Sequence, residues 1–360
     1  MKVLWLTNIP SPYRVDFFNE LGKLCQLTVL FERNASKERD ESWKHFSSDY
    51  FTPIVLQGKS IGVAEAFCPS IIKYLTPEYD RIVVTNYSDL TGMLAVHMLK
   101  RRHIPYCLES DGAFPGTGIG IKEKIKRWVI SGADMYFSTA RMHDDYYKFY
   151  GAPEDRIVRY PFSSLKKEDI EEKVLEKNEK MIIREALGMK EEKILLSVGQ
   201  FIYRKGFDLL IKATANMNGI GVYIVGGTPT EEYIGLCKEL KADNIHFVPF
   251  KGKKELKKYY QAADVFVHPT REDIWGLVIN EAMANGLAVV TTNRCIAGLE
   301  MIHEGENGYI VPVNSSDELK EKIQEAISQC AAMGRQSLKA AKHYTVDEMA
   351  LAHMKAWGKQ

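Results

Sequence analysis

The chain has 360 residues, of which 45% are apolar and 26% are charged. This composition is typical of a folded globular protein and excludes intrinsic disorder, collagen-like repeats and a small disulfide scaffold. The length predicts two domains of ordinary size. The 48 basic side chains nearly balance the 47 acidic ones. The chain therefore lacks the positive surplus with which nucleic-acid-binding proteins displace phosphate counterions, and we expect no nucleic acid among its partners.

The six cysteines are scattered, without a Cys-x-x-Cys pair or a histidine spacing typical of zinc sites. They predict free thiols in a reducing compartment, and no metal ligand set is visible. The apolar run after Met1 is short and soon reaches Pro10, unlike a signal peptide. No window approaches the ~18 apolar residues that a membrane-spanning helix needs. The sequence therefore predicts a cytoplasmic protein.

Short β-branched or aromatic runs alternate along the chain with polar turns and with stretches of helical period. Runs that are apolar on both faces predict parallel strands covered by helices on both sides. In chain order these runs are residues 3–6, 27–31, 82–85, 106–109 and 135–138, then residues 194–198, 222–225, 245–248, 265–268, 289–292 and 309–311. The sequence thus predicts an α/β protein with two doubly wound parallel sheets.

A densely charged segment, residues 166–180, separates the two sets of strands. We place the boundary there, which gives an N-terminal domain of residues 1–165 and a C-terminal domain of residues 166–344. Apolar residues at helical spacing in the tail, residues 345–360, predict a packed terminal helix. Ligands of open parallel sheets bind beyond the carboxyl ends of the strands, so we expect the chemistry in a cleft between the domains.

The segment with the clearest chemical signal follows the predicted strand 265–268. An acidic loop contains Asp273, and Gly276 is predicted to open a helix that contains Glu281 and ends at Gly286. Free backbone amides in the first turn of a helix bind phosphate, and carboxylates bind sugar hydroxyls. The amides concerned are those of Gly276, Leu277 and Val278. This combination predicts a sugar-nucleotide site.

A second segment places two adjacent cations after a strand. The strand ends at Gly199, and Arg204 and Lys205 precede the next helix. Arginine can bind two phosphate oxygens at once, whereas lysine acts as a point charge. Cations at this position can neutralise a departing diphosphate.

Together the two segments resemble the retaining nucleotide-sugar glycosyltransferases of family 4, which have the GT-B fold. The resemblance covers about residues 80–313. It is carried by two acids separated by seven residues, Asp273 and Glu281, and by Lys-Gly-x-Asp-x-Leu-Ile beginning at Lys205. It implies two Rossmann-like domains facing a cleft, with the C-terminal helix packed back on the N-terminal domain. The sequence departs from the family at Asp273, where glutamate is usual, and at Gln200, where arginine is common.

The resemblance also implies roles in binding a nucleotide sugar, most simply a UDP-sugar. Lys205 and Arg204 would hold the diphosphate and take the place of a divalent ion, so no cofactor or metal is expected. Glu281 would bind the ribose, and Asp273 would contact the transferred sugar. The base would be framed by backbone near two further residues, Phe250 and Lys251.

The N-terminal domain is expected to bind the acceptor, a glycan or a lipid-linked saccharide of cell-surface polysaccharide or lipopolysaccharide synthesis. Glu109 and Asp111 follow a strand where many relatives carry a histidine, and either is a candidate catalytic residue facing the reaction centre. His143 and His268 are expected to be structural. The acceptor-side candidates after the first strand are Asn8, Tyr13 and Arg14.

Residues 119–130 combine four basic side chains with isoleucine and tryptophan at helical spacing. This pattern is more often that of a solvated amphipathic helix, and peripheral contact with an anionic membrane surface is the alternative that would suit a lipid-linked acceptor. Two other functions remain open. One is a sugar-nucleotide epimerase of similar two-domain build. The other is a non-catalytic sugar-nucleotide-binding protein, which the departures at Asp273 and Gln200 suggest.

Overall fold

The computed structural model describes residues 1–33, 47–61, 65–116, 118, 120–215 and 217–358. The chain divides into two compact units. The first comprises Met1–Ser164 together with Thr345–Gln360, and the second comprises Leu165–Tyr344. The boundary expected from the charged segment lies within one residue of this division.

The first unit contains a parallel sheet with the strand order β3-β2-β1-β6-β7-β8-β9 and a small antiparallel hairpin, β4-β5. Five of the six residues of β1 are buried, because neighbouring strands and helices cover both of its faces. The strands are β1 (Lys2–Thr7), β2 (Gln26–Phe31), β3 (Phe51–Val55), β4 (Lys59–Ile61), β5 (Glu65–Phe67), β6 (Arg81–Val84), β7 (Cys107–Glu109), β8 (Met135–Ser138) and β9 (Ile157–Arg159). The helices before the second unit are α1 (Pro12–Gly22), α2 (Leu90–Arg102), α3 (Ile121–Ile130) and α4 (Arg141–Phe149).

The second unit contains a parallel sheet with the order β12-β11-β10-β13-β14-β15. Its strands are β10 (Lys193–Val198), β11 (Ile220–Val225), β12 (Ile245–Val248), β13 (Val265–His268), β14 (Ala288–Thr292) and β15 (Gly308–Val311). Its helices are α5 (Lys177–Leu187), α6 (Phe207–Thr214), α7 (Glu231–Leu240), α8 (Lys253–Ala262), α9 (Leu277–Ala284), α10 (Ile296–Met301) and α11 (Ser316–Ala341).

The last helix, α12 (Val346–Trp357), belongs to the first unit and packs against α1. Thr345 caps its N-terminus by accepting a hydrogen bond from the backbone amide of Glu348. The buried side chains of Met349, His353 and Trp357 recur at helical spacing and face the unit. The predicted packing of the C-terminal helix on the N-terminal domain is confirmed.

The neighbouring positions of β10 and β13 decide where the candidate site forms. The two strands run parallel, with Leu195 beside Val265, so their carboxyl ends reach the same edge of the sheet. The loops that contain Arg204, Lys205 and Asp273 therefore lie side by side.

The sequence analysis missed several strands at the edges of the first unit. β3 contains Pro53 and exposes most of its residues, and β9 is short and partly polar. An edge strand is covered on fewer sides, so it lacks the continuous apolar pattern by which central strands are found. Within the described ranges, no helix combines the length and apolar character needed to span a bilayer.

Candidate functional site

An ion pair between Lys205 and Asp273 lies at the centre of the site in the second unit. Lys205 Nζ donates to Asp273 Oδ2 at 2.6 Å, and both side chains are almost buried. His268 Nε2 lies 3.0 Å from the same oxygen and is fully buried at the end of β13. Arg204 Nη1 lies 3.7 Å from Asp273 Oδ1. The carboxylate is therefore surrounded by donors from both loops.

The surroundings of Asp273 keep it ionised. Burial alone would raise its pKa, but the hydrogen bond from His268 and the charge of Lys205 hold the pKa well below the usual range. Burial lowers the pKa of His268, while its contact with Asp273 acts in the opposite direction. A neutral imidazole that donates from Nε2 satisfies this geometry.

Backbone contacts join the two loops along their length. Arg271 N donates to Arg204 O at 2.8 Å, and Arg204 Nη1 donates to Glu272 O at 2.6 Å. The Arg271 guanidinium also binds both carboxylate oxygens of Asp208 and lies 3.9 Å from the Tyr203 ring centroid. These contacts fix the direction in which Arg204 and its neighbour Lys205 leave the backbone.

Gly206 allows the two loops to approach this closely. Its φ of +69° lies in the left-handed region that glycine adopts without strain. A Cβ atom at this position would lie 2.0 Å from the carbonyl oxygen of Pro269. Any side chain would therefore push the two loops apart.

The N-terminus of α9 lies beside the ion pair. Gly276 is its N-cap, and a Cβ atom there would lie 3.7 Å from Asp273 Cγ. Within the described part of the chain, the amides of Gly276, Leu277 and Val278 have no acceptor. The first turn of α9 thus offers donors and a positive dipole end at the place where the sequence predicted them.

Glu281 is half-buried on α9 and accepts a hydrogen bond from the Tyr260 hydroxyl at 2.8 Å. Burial raises the pKa of Glu281, and the Tyr260 hydroxyl and the charge of Lys253 oppose that rise. The contact with Tyr260 orients the carboxylate and leaves acceptor capacity on both oxygens.

The remaining donor-side candidates lie at the same edge of the sheet. Gly199 follows β10, and the Lys205 side chain passes over it, since a Cβ atom on Gly199 would lie 3.4 Å from Lys205 Cδ. Phe250 and Lys251 lie between β12 and α8, and the Phe250 side chain is exposed. Their expected contact with the base stays a prediction.

The first unit gathers several predicted residues around Arg14. Arg14 Nη1 donates to Glu109 Oε1 at 2.5 Å, and Arg14 Nη2 donates to Asp111 Oδ1. The Tyr13 hydroxyl donates to Asp111 Oδ2 at 2.7 Å. Asn8 lies apart from this cluster and caps its own loop by accepting from the Ile9 amide at 2.8 Å.

The structure corrects the expected catalytic role of Glu109. Its side chain is fully buried, and Oε1 accepts hydrogen bonds from both Arg14 and Tyr160. A group at this place cannot touch a substrate. Asp111, two residues further, keeps partial exposure and stays a candidate.

Three residues that contact the candidate site or its loops were missed, or were given another role, by the sequence analysis. His268 was expected to be structural but contacts Asp273, and Tyr260 and Arg271 were not singled out. Each lies at or near the end of an element that leads toward the site edge. That position was a usable signal for His268, which ends β13. His143, also expected to be structural, is buried with Nε2 at 2.9 Å from Ser110 Oγ.

We predict that Gly206→Ala destabilises the protein more than Gly188→Ala. Both glycines have φ near +70°, but no atom lies within 4 Å of a Cβ added at Gly188. Gly188→Ala should cost about 1 to 2 kcal/mol of left-handed backbone strain. Gly206→Ala adds a clash with the Pro269 carbonyl and should cost at least about 3 kcal/mol. Urea unfolding measures the loss in free energy of unfolding for each variant. Equal losses would contradict the close approach of Gly206 to the Pro269 carbonyl.

Comparisons with known proteins identify a family model, related sequences and similar folds. Residues 179–343 match the family model described as glycosyl transferases group 1. Lipopolysaccharide glucosyltransferase WaaG of Escherichia coli K12 is 30% identical over 159 residues, 42% of this chain and 42% of that protein. D-inositol 3-phosphate glycosyltransferase of Mycolicibacterium smegmatis is 28% identical over 179 residues, 46% of this chain and 41% of that protein. The matches span about two fifths of the length of these curated relatives.

Solved structures extend the likeness to the first unit. Anabaena HepE in complex with UDP aligns with a TM-score of 0.78 at 16% identity, covering 100% of both chains. Sucrose-phosphate synthase from Thermosynechococcus elongatus aligns with a TM-score of 0.77 at 18% identity, covering 100% of this chain and 98% of that one. The predicted fold class is thereby confirmed. The chain has the two parallel-sheet domains of the GT-B fold, and residues 179–343, in its second unit, match the glycosyl transferases group 1 model.

Proposed function

We propose that the protein transfers a sugar from a nucleoside diphosphate sugar to a hydroxyl group of a glycan or lipid-linked acceptor, with retention of anomeric configuration. The observation that carries this proposal is the cluster formed by Lys205, Asp273 and the free amides of α9. It combines cations, helix-terminal donors and a carboxylate, which are the groups that a diphosphate and a sugar require.

The leaving diphosphate is the main object of catalysis in this proposal. Departure of the diphosphate places negative charge on its oxygens and oxocarbenium-like charge on the sugar. Lys205 has three N–H donors and uses one on Asp273, so it can bind a phosphate oxygen without leaving its carboxylate. Arg204 is partly exposed and can bind a second oxygen. Both charges, with the amides of α9, lower the barrier to departure.

Carboxylates position the rest of the donor. Glu281, oriented by Tyr260, accepts hydrogen bonds from the ribose diol. Asp273, held by His268, lies between the cations and the N-terminus of α9, where it can accept from hydroxyls of the transferred sugar. The acceptor proton passes to the departing phosphate oxygen on the same face of the sugar, which accounts for retention without a protein nucleophile.

The donor and the pathway are inferred from related proteins. HepE of Anabaena has been solved with UDP and with UDP-glucose, which favours a UDP-sugar here. WaaG and LpsE of Rhizobium meliloti are named for lipopolysaccharide synthesis, which favours a saccharide acceptor of that class. The cations Lys205 and Arg204 support transfer without a divalent metal ion.

We predict that Lys205→Ala and Glu281→Ala each lower kcat/KM for transfer from the UDP-sugar by at least about 100-fold, since each removes a group that binds the donor in the transition state. Lys320→Ala, a change at an exposed lysine of α11, is the matched control and should keep full activity. NMR analysis of the product should show that the transferred sugar has the same anomeric configuration as it had in the donor.

Three results would contradict this assignment. Full activity in either alanine variant would remove the proposed donor site. A new epimer formed from the donor alone would identify an epimerase. Calorimetric binding of UDP without turnover on a broad acceptor panel would identify a binding protein.

We predict that transfer persists after exhaustive treatment with EDTA, because Lys205 and Arg204 supply the charge that a divalent ion would supply. Activity should stay within about twofold of that of the untreated enzyme. Loss of one charge-stabilising group would instead lower kcat by about 10²- to 10³-fold. Loss of activity that added Mg²⁺ or Mn²⁺ restores would overturn this part of the proposal.

We also propose that α3 contacts an anionic membrane surface, where a lipid-linked acceptor lies. Ile121, Ile125 and Trp128 are 78%, 46% and 46% exposed and recur on one face of the helix. Val129 and Ile130, at the C-terminal end of the helix, are buried. The exposed basic side chains of this helix are Lys122, Lys124, Lys126 and Arg127. Ile119, the first residue of the predicted patch, lies outside the described residues. An apolar stripe among cations fits anionic lipid headgroups.

We predict that the protein sediments with vesicles containing phosphatidylglycerol and not with vesicles of phosphatidylcholine alone. Changing Lys124 to glutamate should weaken binding at least about fivefold, since each basic side chain near such a surface contributes about 1 kcal/mol. Ile125→Ser should also weaken it, whereas Ile182→Ser, at a 70% exposed isoleucine of α5, should not. Equal binding to both vesicle types, or to neither, would refute this contact.

A further inference from the structure

A series of polar side chains in the first unit extends from the C-terminal helix to the candidate residue Asp111. It runs from His353 on α12 to Glu109 at the end of β7, then to Arg14 on α1 and to Asp111. The first three are buried, whereas the Asp111 side chain is 31% exposed. Burying charged groups is costly unless they are paired. The contacts among these groups therefore fix how Asp111 presents its carboxylate.

Both oxygens of Asp111 are held by α1. Arg14 Nη2 donates to Oδ1, and the Tyr13 hydroxyl donates to Oδ2 at 2.7 Å. Each carboxylate oxygen keeps a free lone pair for a further donor. The orientation of Asp111 thus follows the position of the Arg14 guanidinium.

Glu109 holds that guanidinium from the other side. Its Oε1 accepts from Arg14 Nη1 at 2.5 Å and from the Tyr160 hydroxyl at 2.7 Å. Burial alone would raise the pKa of Glu109, but Arg14 and then His353 lower it to about 2. Glu109 is therefore a permanent anion at the centre of the series.

His353 faces the other oxygen of Glu109. His353 Nε2 and Glu109 Oε2 lie 3.6 Å apart, and neither has a hydrogen-bond partner among the described residues. His353 Nδ1 lies 2.8 Å from the carbonyl oxygen of Met349, so Nδ1 carries a hydrogen. A hydrogen on Nε2 is then present in the imidazolium form alone.

Glu109 is the charged group that faces this imidazole in the described part of the first unit, and Tyr160 is the other titratable neighbour. The remaining neighbours are aromatic rings from four elements. These are Trp5 on β1, Phe17 on α1, Phe137 on β8 and Trp357 on α12. A proton on Nε2 can therefore be donated to Glu109 and to no competing acceptor in this group.

We propose that His353, Glu109 and Arg14 are positioning residues that hold Asp111 toward an acceptor hydroxyl. The inference deepens the proposed transferase function and rests on it. His353 Nε2 faces Glu109 Oε2 at 3.6 Å and limits the rotation of that carboxylate. The fixed carboxylate orients Arg14, and Arg14 orients Asp111, which accepts a hydrogen bond from the acceptor.

The test compares His353→Phe, which keeps an aromatic ring, with His353→Gln, which keeps an N–H donor but does not titrate. The Phe variant should raise the acceptor KM about tenfold, as expected for loss of the polar contact to a buried carboxylate. Its affinity for UDP, measured by calorimetry, should not change. The Gln variant keeps an N–H donor for Glu109 and should keep a KM near that of the wild type. His343→Gln, at an exposed histidine before α12, is the matched control.

An unchanged KM and an unchanged Asp111 rotamer in the crystal structure of the Phe variant would overturn the proposal. So would a Gln variant whose acceptor KM also rises about tenfold, and this variant decides the matter if the Phe variant does not fold. If the wild type transfers no sugar, the proposed function fails. The Asp111 rotamer in the Phe variant then decides the positioning role, since rotation supports it and an unmoved carboxylate refutes it.

Discussion

The contact between Lys205 and Asp273 is the interaction on which the second unit's candidate site depends. It joins loops that leave adjacent strands, and it buries a positive and a negative side chain together. An unpaired charge at this depth would be strongly unfavourable, so each partner requires the other. The short backbone contacts between Arg204 and the loop containing Arg271 exist because this pair and Gly206 keep the loops close.

The pairing with Asp273 also explains how the Lys205 side chain can be held in position before a ligand binds. A lysine that was fully desolvated without a partner would lose its proton, and a fully solvated one would lack orientation. Asp273 orients the ammonium group of Lys205, and the buried His268 holds the Asp273 carboxylate in place. In the proposed transfer reaction, this arrangement supplies fixed charges that act on the developing negative charge without first reorganising.

The sequence predicted the central strands and the loop positions because these depend on local pattern. Residues 194–198 and 265–268 are apolar on both faces, and Gly276 and Gly286 mark the bounds of α9. Side-chain contacts between distant segments leave no such pattern. Tyr260 contacts Glu281 from another helix, and the sequence around Tyr260 contains no pattern that predicts this contact. Glu109 stands at a strand end like a site residue, but Arg14, 95 positions earlier, draws it into the core.

The burial of Glu109 also limits what the cluster around Arg14 can be for. A buried ion cluster contributes little net stability, because well-packed apolar side chains of the same volume often serve as well. The cluster is distinguished by its geometry, because planar guanidinium and carboxylate groups form hydrogen bonds with each other in only a few orientations. Tyr13 and Arg14 apply that geometry to Asp111, where the cluster reaches solvent. The cluster therefore affects a substrate through the fixed orientation of the Asp111 carboxylate rather than through the stability of the fold.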